Sequence, residues 1–457
     1  MKMSISSKVL EIYEKYYVCP YCLGRMWALL GTNTTNLERG TSLLLSLTLE
    51  GHKSLLSGSD SKEKEGLNIL KILAEKAVFV PAQKVLEKEG YKYSLNQSDP
   101  SCYLCQGIFD NLEKYAEKGR EVSKDIEFDN FLVGTSPDSQ IINQEDIFKA
   151  EYTLLEAESF KSHFNREVGK NLMKKLDKEP NFEEPDLLFL YNLNYEDFKI
   201  DLILKPVFIY GRYNKFLRGI PQTHWYCRKC QGKGCELCDF TGKKYETSVE
   251  ELISPEFVKL FEATDSKFHG AGREDIDVKM LGSGRPFILE LTSPKKRRTR
   301  IDLKKIQEKV NTVNDGKIKI QDLRFSDKNE VIAVKSDAET TQKVYEALVE
   351  AEQNIEEDVF NEKLIQLKKT LEDQTISQRT PIRVSHRRSD KIREKKIYRI
   401  EGIYIQPNLF RFTIETQGGT YIKELIHGDE GRTSPSFAEM FNFPLACKEL
   451  NVVEIKF

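Results

Sequence analysis

Several things are scarce in this chain of 457 residues. No sign of charge dominates: 70 basic against 72 acidic side chains leave a net charge of −2. Overall charge therefore says nothing about partners, and only local asymmetry can. No run of roughly 18 apolar residues occurs, which excludes a membrane-spanning helix on hydropathy. The opening "MKMSISSKVLEIYEKYYVCPYC" holds no uncharged stretch long enough for a secretory signal core. The expectation is a cytoplasmic protein without a membrane partner. Histidine is sparse, and His52, His163, His224, His269, His386 and His427 are scattered without the companions of a deaminase site. No G-x-x-x-x-G-K-[ST] loop is present, and "LGSGRP" at 281–286 is a poor dinucleotide fingerprint. These absences speak against ATP or S-adenosylmethionine chemistry, so no redox or nucleotide cofactor is expected. There is no solenoid repeat and no low-complexity tail.

What is present starts with length enough for two or three domains, each with its own core, and with a globular composition of 31% charged and 39% hydrophobic residues. Eight of the nine cysteines fall in four C-x-x-C pairs: Cys19/Cys22, Cys102/Cys105, Cys227/Cys230 and Cys235/Cys238. Without a secretory signal such pairing argues for metal rather than disulfides. Two residues between thiolates let both face one tetrahedral ion, so two pairs complete an S4 site. "CPYC" with "CYLC" would clip distant segments together, whereas "CRKCQGKGCELC" closes on itself through glycine turns. Full occupation by cysteine leaves no position for a reactive water, so the expected role is structural: one or two zinc ions, with buried free thiols or an iron–sulfur cluster as the alternatives. Cys447, alone in "PLACKEL", reads as a small core residue.

Residues 1–120 alternate helical patterns such as "LNILKILAEKAVFVPAQKVLEKEG" with the cysteine pairs. From about 125 to 205 the pattern reads strand ("EFDNFLVGTS"), one long helix ("DIFKAEYTLLEAESFKSHFNREVGKNLMKKL"), then strands ("DLLFLYNLNYEDFKIDLILKPVFIYGRY"). That helix carries Lys161, Arg166, Lys170, Lys174 and Lys175. Beyond 206 strands, glycine turns and basic runs point to a larger α+β domain reaching Phe457, interrupted by a charged helical insertion at about 350–378 that is expected on the surface.

Local charge is informative where global charge is not. "PKKRRTRIDLKKI" at 294–306 holds seven Lys or Arg against one Asp, and "RTPIRVSHRRSDKIREKK" at 379–396 holds eight against two acids. In a nearly neutral chain these are the footprint of a phosphate backbone, with a solvated surface as the plain alternative. Ile382, Val384 and Ser385 interleave with the basic residues as in a strand. RNA is preferred over DNA because no recognition-helix module or C2H2 finger occurs. One acidic cluster stands out, "AGREDIDVKM" at 271–280: a carboxylate on a tight glycine turn beside an arginine can be held ionised and aimed as a nucleophile.

"GREDIDVKMLGSGRPF" resembles the catalytic loop of the archaeal and eukaryotic tRNA pseudouridine synthases that modify tRNA positions 54 and 55, and the aspartate of its G-R-x-D falls on Asp275. "RYNKFLRGIPQTHW", "QRTPIRVSHRR" and "GGTYIKELIHGDEGRTSPS" resemble further motifs of that family in the same order, and "KVYEALV" its K-x-Y strand. The resemblance covers nearly the whole chain. It implies a multidomain α+β fold: an N-terminal zinc-bearing tRNA-binding region over 1–205, THUMP-like over about 90–205, and a pseudouridine synthase domain over 206–457 with a mixed or antiparallel sheet and the cysteine knuckle at 227–238.

The roles implied are these. Asp275 attacks the nucleoside, Lys423 lowers its pKa, and Arg273, grouped with these catalytic residues, pairs with a carboxylate for structure or wedges into the RNA. Tyr345 stacks on the extruded uracil. Tyr421, Ile422, Arg383, His386, Arg387 and Arg388 face the substrate. The partner is tRNA, with no DNA, and the enzyme is expected to act as a monomer. Asp277 is the alternative carboxylate, because "DIDV" alternation puts it on the same strand face as Asp275; Tyr421 and Lys423 are likewise expected to share a strand face. A noncatalytic zinc-containing tRNA-binding protein or chaperone would use the same basic surfaces, and the choice between position 54, position 55 or both stays open.

Overall fold

The computed structural model describes residues 4–95, 100–297, 301–336, 341–386 and 388–456. It divides into two compact units, Met1–Leu204 and Lys205–Phe457.

The first unit begins with helices whose starts are set by polar caps. Thr35 and Glu38 form a reciprocal capping box at the head of helix Asn36–Leu55, satisfying two backbone N–H groups that a helix leaves unpaired. Helix Pro20–Arg25 crosses this helix backbone against backbone, and a Cβ on Gly24 would stand 1.8 Å from the Asn36 carbonyl oxygen. Only glycine permits that approach. At the end of the short helix Arg25 is fully buried and pairs with Glu145 of helix Ser139–Glu151. Glu145 also accepts from the backbone N–H of Phe160 at 3.0 Å, the first residue of helix Phe160–Leu176. One buried carboxylate thus ties three helices together. The basic helix expected over this stretch is therefore two helices: the first ends near Glu151, Thr153 adopts φ 49, and Ser159 caps a new start. Helix Phe160–Leu176 lies on a three-stranded sheet of β1 (Phe131–Pro137), β2 (Leu187–Leu193) and β3 (Phe198–Leu204). Strands β1 and β2 are parallel, β2 and β3 antiparallel, and β1 and β2 alternate buried and half-buried residues as a one-sided sheet must.

The second unit is built on a ten-stranded sheet. Its strands are β4 (Val207–Lys215), β5 (Asp265–Gly270), β6 (Lys279–Thr292), β7 (Ile318–Ser326) and β8 (Gln342–Ala351). They continue with β9 (Thr375–Arg379), β10 (Ile392–Gln406), β11 (Leu409–Gln417), β12 (Thr433–Ser434) and β13 (Leu445–Lys456). The order is β12-β9-β10-β11-β8-β13-β6-β4-β7, with β5 added against β6. All pairings are antiparallel except β13 with β6, so the sheet is mixed. "KVYEALV", open between strand and helix in the sequence, is the middle of β8, a strand flanked on both sides. Its strict alternation puts Lys343, Tyr345 and Ala347 on one buried face.

Two further expectations change. The helix expected as a surface insertion, Glu357–Leu371, inserts Phe360, Leu367 and Leu371 fully into the core, with the Phe360 ring 4.7 Å from that of Phe410. Its charged residues occupy the outer face only, which is why composition alone suggested an exposed element. The basic run after β9 is not strand at Ile382–Val384 but a 3-10 turn, entered through Pro381, which has no N–H to give a ladder. Arg387 and the Arg298–Arg300 part of the first basic segment lie outside the described residues.

Candidate active site and metal centres

The acidic loop at 271–278 joins β5 to β6, and a buried polar cluster holds it from beneath. Glu274, fully buried, accepts from Tyr213 at 2.8 Å, lies 2.8 Å from Arg285 Nε and 3.8 Å from Lys215 Nζ. Lys215 donates to the backbone carbonyls of Ile220, Asp275 and Ile276 at 3.0, 3.3 and 3.2 Å. Gln222 donates to Tyr213 Oη and to the Gly272 carbonyl, and Arg285 to the Ala271 carbonyl. Burial lowers the Lys215 pKa despite the attraction of Glu274. Nearly every group in this cluster is satisfied, as a buried charge requires. The loop backbone is therefore fixed on both flanks of Asp275. Sequence reasoning missed these residues; the usable signal was Glu274 inside "RED", directly before the motif aspartate.

Above the cluster lies a cavity of 510 Å³ whose wall includes Asp275, Tyr345, Lys343, Arg383, Tyr421 and Lys423. Asp275 is about a third exposed, and its Oδ2 accepts a salt bridge from Arg383 Nη1 at 2.9 Å. Lys423, expected as the charge partner of Asp275, is 3.9 Å away and instead binds Asp277 at 2.6 Å. Burial alone would raise the Asp277 pKa, but the Lys423 hydrogen bond and charge lower it. Among the described residues the cation nearest the Asp275 carboxylate is therefore Arg383, a residue expected to face RNA. Arg383 is itself oriented by Glu424, whose Oε1 accepts from Nε at 2.6 Å while its carboxylate is almost wholly buried. Burial opposes the Arg383 charge, yet the Glu424 hydrogen bond and the charge of Asp275 raise its pKa.

The strand geometry expected around these residues gives way to turns. Asp275 and Asp277 sit in an irregular loop and turn, not on a strand. Tyr421 caps, and Ile422 and Lys423 begin, helix Ile422–His427. The Gln378 amide reads both backbone groups of Tyr421, accepting from its N–H at 2.9 Å and donating to its carbonyl at 3.0 Å. Arg388 donates to the Tyr421 hydroxyl at 3.0 Å. Arg273 stacks its guanidinium 4.8 Å from the Trp225 ring, also on the cavity wall. His386 is exposed and outside that wall.

Tyr345 and Lys343, two residues apart on β8, project into the same cavity. Burial pushes the Tyr345 phenol up to about 12, with Arg285 pulling against it and Asp275 reinforcing it. Burial, then the charge of Arg285, brings the Lys343 ammonium down to about 7. Lys343 is 5% exposed and forms no ion pair among the described residues. Its place in K-x-Y was the signal, and alternation on a buried strand face the reason.

The cysteines assemble as two tetrads, Cys19/Cys22/Cys102/Cys105 and Cys227/Cys230/Cys235/Cys238, with all four ligand atoms of each within 4.8 Å of one another. A tetrahedral ion with ~2.3 Å bonds to sulfur sets its ligands about 3.8 Å apart. The sulfur separations Cys19–Cys105, Cys227–Cys235 and Cys230–Cys238 are 3.7, 3.9 and 3.8 Å. Backbone N–H groups of Cys19, Cys235 and Gly242 point at sulfurs at 3.3 Å, as thiolates would need. Both tetrads could hold a metal ion. Cys447, outside both, is half-buried and packs against the core of the second unit.

A mixed ten-stranded sheet that carries the G-R-x-D loop over a cavity, in a chain whose other unit holds a THUMP domain, defines the class as a THUMP-bearing pseudouridine synthase. Residues 208–456 match the family model described as Pus10, C-terminal, and residues 115–192 that described as Pus10 THUMP domain, archaeal. The chain is 43% identical over 449 residues to the tRNA pseudouridine synthase Pus10 of Methanocaldococcus jannaschii, spanning 97% of this chain and 93% of that protein. It is 39% identical to the tRNA pseudouridine synthase Pus10 of Methanopyrus kandleri, with 97% of each covered. The chain belongs to the Pus10 family of tRNA pseudouridine synthases. Among solved structures, a chain in the crystal structure of a Cbf5-Nop10-Gar1 complex aligns over 45% of both chains at 20% identity and a TM-score of 0.27, a likeness too slight to bear on fold or chemistry. Among the described residues no helix is long and apolar enough to cross a membrane.

Proposed function

We propose that this chain isomerises uridine to pseudouridine in the TΨC arm of tRNA, at position 54, position 55 or both, with Asp275 as the nucleophile. The observation that carries this reading is Asp275 at the cavity wall, its Oδ2 2.9 Å from Arg383, with Tyr345 on the same wall. A uridine in a folded loop must leave its stack before the glycosidic bond is accessible, which costs a few kcal/mol. Stacking on an aromatic ring returns about 1–3 kcal/mol, and Tyr345 supplies the ring. Arg383, 2.9 Å from Oδ2, holds the Asp275 carboxylate in place at the cavity wall, where it can attack the sugar or take its proton. The uracil then detaches, turns and rejoins through C5. Lys423 neutralises Asp277 and keeps a second negative charge from competing at the site. Tyr421, Ile422 and Arg388 also line the cavity.

The tRNA is held by the basic surfaces of both units, and the enzyme acts as a cytoplasmic monomer without DNA. Each cysteine tetrad takes a structural zinc ion: four thiolates close its coordination, so it supplies folding stability and no reactive water. The test is tritium release from a tRNA transcript labelled at uridine C5, for wild type and Asp275→Ala side by side, followed by mapping of the modified positions. Release by the wild type alone, with tRNA affinity nearly unchanged in the variant, supports the assignment. Parallel loss of binding and release would make Asp275 structural. Bound tRNA without release by the wild type would favour a noncatalytic tRNA-binding protein.

A further inference from the structure

Among the described residues, Lys215, Arg285, Lys343 and Lys395 are cations buried at or beside the cavity. Three of them have acceptors supplied by the protein. Lys215 donates to three backbone carbonyls, Arg285 pairs with Glu274 at 2.8 Å, and Lys395 of β10 donates to the Gly418 carbonyl at 2.8 Å. Lys343 is the exception. It lines the cavity at 5% exposure, and among the described residues its ammonium has neither a hydrogen bond nor an ion pair. The carboxylates on the wall are already committed: Asp275 to Arg383, Asp277 to Lys423 and Glu274 to Arg285. Burying a cation without an acceptor is costly, so the partner of Lys343 is to be sought in what enters the cavity.

Its place on β8 indicates which part of that ligand it meets. Lys343 and Tyr345 share one strand face, about 6.6 Å apart along the strand. The flexible four-carbon stem of lysine covers that span. A base stacked on the Tyr345 ring therefore has its edge within reach of the amine.

We propose that Lys343 is a catalytic residue that carries a proton from C5 to N1 of the uracil, once the ring has turned and joined the sugar through C5. The proposal rests on the isomerase reading above and adds the group that finishes the reaction. In the rejoined ring C5 holds both the new bond to the sugar and its original hydrogen, while N1 is bare and double-bonded to C6. The neutral amine takes the C5 proton. The C–H electron pair becomes the C5–C6 double bond, the N1–C6 π pair moves onto N1, and the ammonium returns the proton there. Nothing is oxidised or reduced, and the amine ends as it began. N1 and C5 are both bonded to C6, so one amine can serve both.

A group that must take and then give a proton works best with a pKa near the working pH. Burial, then the charge of Arg285 on β6, brings Lys343 down to about 7; Glu274 of the acidic loop opposes this and Lys395 adds to it.

The experiment follows pseudouridine formation in single turnovers of full-length wild type, Lys343→Met, Lys343→Ala and Lys343→Arg, on tRNA transcripts with protium or deuterium at uridine C5. Lys343→Met keeps the apolar stem and loses a buried charge, so it should melt no lower than wild type and bind the transcript with nearly unchanged affinity. Its rate should fall roughly a hundred-fold or more, the usual weight of proton transfer by a positioned group. Deuterium should slow this variant by a larger factor than wild type, because C–H cleavage has lost its base. Ethylamine should speed Lys343→Ala in proportion to its free base, and Lys343→Arg, whose guanidinium keeps its proton, should stay slow. The wild-type rate should drop below about pH 7, a limb that Lys343→Met lacks. An active wild type with an equally active, folded Lys343→Met overturns this inference alone, and so does a loss with neither isotope effect nor amine rescue, which would make Lys343 structural. A wild type that binds tRNA yet forms no pseudouridine refutes the isomerase reading and this inference with it.

Discussion

Replacing Lys343 by methionine should remove a stability penalty that depends on pH. The ordinary lysine value of 10.5 falls to about 7 in the folded protein, because the amine is buried beside Arg285. Between those values the unfolded chain holds the proton that the folded chain has released, so ν_U exceeds ν_N and stability rises with pH. At about 1.4 kcal/mol per unit, the penalty is about 4 kcal/mol at pH 7 and about 2 kcal/mol at pH 9. Wild type should therefore gain about 2 kcal/mol over that range from this one group. Lys343→Met, which keeps the apolar stem, should lack that gain. Both proteins carry the same remaining titratable groups, so the difference of their pH dependences isolates Lys343. Urea unfolding in a Trp27→Phe background makes Trp225 the reporter of the second unit, since the chain has only two tryptophans. Equal pH dependence in the two proteins would show that Lys343 keeps its proton in the cavity and would refute the argument from burial.

Two predictions concern the first unit and the metals. Glu145→Gln leaves Arg25 buried without a counter-charge and weakens the cap on Phe160, and should destabilise that unit by about 3–5 kcal/mol. Trp27 fluorescence in urea would report it, and a loss below about 1 kcal/mol would mean that water reaches Arg25. Atomic absorption should find two zinc ions per chain in the wild type and one in Cys105→Ser, with a lower melting temperature of the first unit; a well-folded, metal-free chain of full activity would make the tetrads dispensable.

Much of this protein is determined by local sequence. C-x-x-C spacing sets two thiolates on one ion whatever the surrounding fold, so the tetrads were legible, including the closure of Cys19/Cys22 with Cys102/Cys105 across a long stretch of chain. Alternation told of β1 and β2 because each buries one face, and the motif order carried the family. Where a residue's conformation depends on partners distant in sequence, local pattern was insufficient. "DIDV" alternates like a strand but is a loop, because Lys215 of β4 holds the Asp275 and Ile276 carbonyls. "TYIKEL" reads as a strand too, yet Gln378 of β9 binds Tyr421 at a helix start. The helix at 357–371 looked external because its charges are counted in sequence, whereas burial of Phe360 is decided by the sheet beneath it. The choice of Arg383 over Lys423 beside Asp275 belongs to the same class. A hydrogen bond is lost within an ångström, so Arg383 at 2.9 Å bonds the carboxylate whereas Lys423 at 3.9 Å does not. The sequence determined which groups are available; the tertiary structure decided which of them meet, because that depends on side chains brought together from β4, β6, β8 and the turns at 382–384 and 421–423.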